Sequence, residues 1–136
     1  MVFRVRLLLG RVDTPDPSLE DILSYLARET TFTLEGDDGS LPGSFHVERC
    51  GATLYTQVEG LGDADQFTLT DPARGDEIVR SVNESGDACR HAAFCLVGHD
   101  LVEQALRYFA RTGERDPTLQ WQSVSDLLRS GQVDFE

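Results

Sequence analysis

Positive charge is what this chain has least of. Twelve Lys plus Arg stand against 24 Asp plus Glu in 136 residues, a net charge of −12. Such a field opposes association with DNA, RNA or anionic membranes, which are themselves negative. It favours a basic partner and speeds encounter with one, although an acidic surface that only keeps a protein soluble has the same composition. Cysteine is scarce as well. Three residues with no framework spacing read as free thiols in a reducing cytosol. No apolar run approaches the ~20 residues that cross a bilayer. The opening run Met1–Gly10 is interrupted by Arg4 and Arg6 and has no small-residue cleavage site, so it does not read as a secretory signal. Repeats and low-complexity tracts are missing. So are the Gly-x-Ser-x-Gly elbow, the P-loop, the dinucleotide fingerprint and His-Glu-x-x-His. What remains is the expectation of one cytoplasmic domain over residues 1–136, with an ordinary hydrophobic content of 40%.

Periodicity places the elements. Residues 2–9 alternate, with Phe3, Val5, Leu7 and Leu9 on one side and Arg4 and Arg6 on the other, as in a half-buried strand. Ser18 and Asp21 predict a capped helix to about Arg28, with Leu19, Ile22, Leu23 and Leu26 on one face. A short strand is expected at 30–34. A hairpin then joins 44–49 to 52–59 around Cys50-Gly51. Further strands are expected at 66–70, 77–82 and 92–97, with a polar loop at 83–90. A long helix from an Asp100 cap, paired with Glu103, carries the stripe Val102, Ala105, Leu106, Phe109 and stops at Gly113 and Pro117. A last helical turn is expected at 123–129, followed by a frayed tail. This order predicts an α+β fold: an antiparallel or mixed sheet with an N-terminal and a C-terminal helix packed on one face.

Chemistry is harder to find. Cys89, His91, Cys95 and His99 bring four metal-ligating types into 11 residues. An extended chain rises ~3.3 Å per residue and separates Cys89 from Cys95 by roughly 20 Å. Residues 90–94 contain no Gly or Pro to fold them back, and buried Cys95 reads better as a small hydrophobe. No metal or cofactor is therefore expected. Cys50 and His46, four apart on one strand face, are ~13 Å apart and out of hydrogen-bond reach. The acidic pairs Asp37-Asp38 and Asp63/Asp65 sit in Gly-bearing loops without the ligand order of an EF-hand.

The stretch from Asp100 to Trp121 is the most distinctive. A helix ends in the aromatic pair Tyr108-Phe109. Then come the turn Thr112-Gly113-Glu114-Arg115, Pro117, and the chain's single Trp at position 121. This resembles the closing signature of immunity protein family one of bacterial polymorphic-toxin systems. The resemblance covers about the last third of the chain and is only architectural before it. It implies a binder and not an enzyme: a small protein that forms a heterodimer with a cognate toxin domain and neutralises it. The first toxin class implied is a nucleic-acid (cytosine) deaminase, the second a nuclease. The zinc deaminase's own elements, His-x-Glu and Pro-Cys-x-x-Cys, are missing here.

A toxin acting on nucleic acid presents a basic cleft, which an acidic inhibitor can occupy. Expected contact residues are Asp37, Asp38, Glu59, Asp63 and Asp65 on loops beside the hairpin, with Tyr55 as an aromatic anchor. These follow from charge and anticipated exposure; the resemblance does not supply them. Two other classes stay open. One is an acidic adaptor or nucleic-acid mimic acting on an endogenous basic protein. The other is a small enzyme or ligand-binding domain using the Cys/His region.

Overall fold

Alternation along the strands decides the layers. A computed structural model describes residues 3–7, 13–28, 31–36, 43–60 and 63–135. The elements are β1 (Phe3–Leu7), β2 (Asp13–Pro15), α1 (Leu19–Ala27), β3 (Phe32–Gly36), β4 (Ser44–Cys50), β5 (Thr53–Glu59) and β6 (Phe67–Thr70), then β7 (Ile78–Val82), β8 (Ala88–Ala92), β9 (Leu96–Val97), α2 (His99–Thr112), β10 (Gln120–Ser123), α3 (Val124–Ser130) and β11 (Val133–Phe135). Two 3-10 turns lie at Pro72–Arg74 and Ala93–Cys95. The main sheet runs β10-β6-β5-β4-β3-β1-β2, with β9 also on β5, and a smaller sheet runs β11-β8-β7. All of these strand pairs are antiparallel. The fold is thus mixed α/β, built on antiparallel sheets and, among the described residues, three helices.

One face of the main sheet presents Phe3, Val5, Phe32, Leu34, Phe45, Val47, Val58 and Leu69. It packs against Ile22, Tyr25 and Leu26 of α1 and against Val102, Ala105, Leu106 and Phe109 of α2. The Phe109 ring sits 5.3 Å from that of Phe3 and 5.5 Å from that of Phe45. The 3.6-residue stripe of α2 and the two-residue period of the strands meet in that layer.

Several expectations need correcting. The first helix does not open the chain. It follows β1 and β2, where the reciprocal Ser18/Asp21 capping box starts it. The last helical turn expected at 123–129 is α3, and β11 follows it. Asp100 does not cap α2. The N-cap is Gly98, with no side-chain hydrogen bond, and Asp100 lies in the first turn, where its charge favours the helix dipole. Gly113 ends that helix at φ +74°, its N–H on the Phe109 carbonyl, as expected. Residues 83–90 are a loop only as far as Asp87. Asn83 N–H donates to the Asp87 carbonyl and closes a tight turn, and β8 begins at Ala88. The expected strand at 92–97 is cut by the 3-10 turn. The tail does not fray through 133–135, where β11 pairs with β8.

The opposite face of β5 turns toward the small sheet. There Cys50, Tyr55, Ala92, Phe94, Cys95, Leu96, Leu127 and Val133 form a second buried cluster. Among the described residues no helix is long and apolar enough to cross a membrane.

Candidate functional site

The carboxy-terminal signature is a scaffold device. Arg115 makes a two-pronged contact with Asp63, Nε to Oδ2 at 2.9 Å and Nη2 to Oδ1 at 3.1 Å. Its guanidinium also lies 3.6 Å from the centre of the Phe67 ring. The segment after α2 is thereby clamped to the turn between β5 and β6, across 52 residues of sequence. Trp121 is half-buried on β10, and its Nε1–H donates to the Asp116 carbonyl at 2.9 Å. Asp116 is itself buried. Burial pushes its carboxyl up, but the Thr118 hydroxyl and backbone N–H, with Gln104, outweigh this and hold it below the ordinary value. Thr112 Oγ donates back to the Tyr108 carbonyl and accepts from Glu114 N–H. Of the aromatic pair, Phe109 is core, while Tyr108 stays half-buried under Arg111.

The expected contact residues separate accordingly. Asp37 and Asp38 lie outside the described residues. Asp63 is 12% exposed at its side chain and is held by Arg115 and by Gly60 N–H, so its carboxyl is depressed, with Arg115 the largest cause. Asp65 accepts from Ser123 Oγ at 2.5 Å and from Gln66 N–H, and its carboxyl too is depressed, with Ser123 the largest cause. Both acids therefore shape their loop, and the anticipated free loop charge is absent at 63. Glu59 is half-buried at the end of β5, opposite Ser44. Tyr55 is no surface anchor. It is 1% exposed, with its ring 4.7 Å from that of His91 and its hydroxyl on Thr68 and Gln57. Strand alternation pointed it off the helix-covered face, but that side is covered by β8, α3 and β11.

Beside that cluster the same sheet face carries polar side chains. His46, Glu48, Gln57 and Gln66 line a groove of about 360 Å³ walled by Val124 and Leu128 of α3. Thr33 Oγ and His46 Nδ1 are 2.8 Å apart, and His46 Nε2 lies 3.8 Å from Glu48 Oε2. The other oxygen of Glu48 accepts from two thiols, Cys50 at 3.8 Å and Cys89 at 3.7 Å. His46 and Cys50 are thus linked through the carboxylate between them, which the strand spacing alone did not suggest. The link is not a nucleophile's. Burial, reinforced by Glu48, pushes the Cys50 thiol up to about 12, and Cys89 also rises through burial first. Glu48 moves the other way, lowered chiefly by His46. A proton on sulfur is held there, the reverse of thiolate activation.

Cys95 is buried, with its thiol pushed up to about 12, and His91 is buried with its pKa lowered by desolvation. His99 sits apart, at the start of α2. The 3-10 turn does fold 93–95 back, yet among the described residues no group of three or more His, Cys, Asp or Glu is placed to hold a metal ion.

A larger cleft, about 610 Å³, lies at the start of α2 among Asp71, Arg74, Gly98, His99, Asp100 and Gln104. It mixes charges of both signs. No protein-family model and no curated protein matches the chain.

Proposed function

We propose that the chain is an immunity protein of the family-one kind. It binds a cognate bacterial toxin domain one to one in the cytoplasm and covers that toxin's basic substrate cleft. The toxin class put first is a nucleic-acid cytosine deaminase, the second a nuclease. The observation that carries the reading is charge: a twofold excess of acids on a chain whose signature residues are committed to its own scaffold. A scaffold tied down by Arg115 and Trp121 leaves the surface free to specialise for a partner. Its acidic surface attracts a basic toxin and excludes nucleic acid by occupying the same cleft. Asp37, Asp38 and Glu59 remain contact candidates. Asp63 and Asp65 serve by holding their loop.

The test is co-expression with the toxin domain encoded beside the gene, scoring survival and co-purification at moderate salt. Rescue with a stable one-to-one complex is expected. Neither rescue nor complex, together with capture of a DNA-handling protein of the same cell, would favour the acidic adaptor instead.

A further inference from the structure

β7 carries an open edge and two apolar side chains that its place in the scaffold does not use, and of the acids around it Glu84 is engaged, accepting from Thr31 N–H at 2.8 Å. Its outer edge pairs with no strand among the described residues; the small sheet ends there, and only Asn83, one residue beyond, bridges to Cys50. Such an edge presents unmatched backbone donors and acceptors. Two large apolar side chains stand exposed on it, Ile78 at 37% and Val82 at 60%. Alternation puts them on one face with Arg80 between them. Acids flank both ends, with Asp76 and Glu77 before the strand and Glu84 and Asp87 in the turn after it, all exposed. An apolar centre with a charged rim is the arrangement of a protein-binding hot spot.

Charge selects the occupant. A second copy pairing antiparallel about Arg80 would match Ile78 with Val82 but set Arg80 against Arg80 within the ladder and bring Asp76 near Glu84 beyond its ends, and like charges directly opposite are destabilising. Arg80 already faces Arg90 on its inner side. A foreign segment with apolar residues against Ile78 and Val82, a carboxylate near Arg80 and basic residues beyond both ends satisfies every position. We infer that the outer edge of β7 is where the toxin domain docks, adding an extended, basic-ended segment as a fourth strand of the small sheet. The inference rests on the immunity reading above and puts its contact surface at β7, by the Cys50 end of the β4–β5 hairpin and away from Glu59 at the other end.

Hydrogen exchange on the full chain, alone and with the toxin domain encoded beside its gene, tests it. Amides of β7 should slow by about tenfold or more in the complex. The double variant Ile78→Ala/Val82→Ala, at exposed positions, should raise Kd about tenfold or more with an unchanged unfolding midpoint. Asp76→Asn with Glu77→Gln should slow association several-fold and flatten its salt dependence. A complex with unaltered β7 exchange and an unchanged Kd in the double variant would overturn the docking surface and leave the immunity reading intact. Absence of both rescue and complex would overturn both.

Discussion

The two buried clusters divide the sheet between them and differ in kind. The one under α1 and α2 is built from Phe3, Phe32, Phe45, Phe109 and aliphatic side chains, with Tyr25 at its margin. The one between β5, the small sheet and α3 gathers Cys50, Tyr55 and Cys95, with the ring of buried His91 tilted against that of Tyr55. Glu48 stands at its rim, accepting from Cys50 and Cys89. The first is held by hydrophobic burial and dispersion, which do not respond to protons. The second holds groups whose charged forms burial penalises, so its contribution depends on their staying neutral. Within that cluster acid acts on His91 and alkali on the thiols and Tyr55, while the depressed carboxyls of Asp63, Asp65 and Asp116 add acid sensitivity outside it.

Truncating the centre of the apolar cluster should have the largest effect. Phe109→Ala is expected to cost ~3–5 kcal/mol in urea unfolding, with the same loss at neutral and mildly acid pH. A loss that changed with pH would break the contrast. Next comes the clamp outside both clusters. Arg115→Ala removes a two-pronged bond to a largely buried carboxylate and a ring contact, and should cost ~1–3 kcal/mol. The same denaturation series reads it, and no loss would mean that the signature turn does not hold the β5–β6 loop.

The pH contrast is sharpened by His91. Its pKa is depressed from 6.5 by burial, so below that value the unfolded chain binds more protons than the folded one. Its contribution is therefore complete above pH 6.5 and lost as pH falls toward the folded pKa. Stability of the parent should decline on acidification through this window, and His91→Leu should flatten that part of the curve. An equally steep curve in the variant would move the sensitivity to the depressed carboxyls, Glu48, Asp63, Asp65 and Asp116, which lose their contributions at lower pH. The smallest expected change is Trp121→Phe. It keeps the ring but forfeits the bond to the Asp116 carbonyl, for ~1 kcal/mol, read as a small shift in the unfolding midpoint.

Local pattern carried much of the architecture. The period-two faces of β1 at Phe3 and Val5 and of the β4–β5 hairpin, the Ser18 capping box, the α2 stripe and its Gly113 stop are short-range signals, and each appears where the spacing put it, while residues 2, 8 and 9 of the first expected strand lie outside the described residues. The segment 83–90 misled because its polar residues are the turn and the outer face of β8, while Cys89 and His91 alternate inward. That alternation was legible in Ala88-Cys-Arg-His-Ala92 but is masked by the charge around it. Asp100 misled because the helix starts two residues earlier than an Asp100 cap implies, from Gly98 directly after β9.

The site residues were the less legible part. Exposure is a property of what packs on a face, and no spacing tells whether the side opposite the helices meets water or a second sheet. Tyr55 alternates off the first core, yet β8, α3 and β11 arrive 33 to 80 residues later in the chain to bury it. Asp63 and Arg115, 52 residues apart, become partners only when the turn after α2 meets the turn after β5. Composition and periodicity by themselves determined the acidic character, the strand faces and the helix ends, because charge and backbone propensity act within a few residues. Which acids are free, which thiols are silent and which strand edge is left open were decided by tertiary packing, because desolvation and pairing depend on neighbours that sequence distance does not reveal.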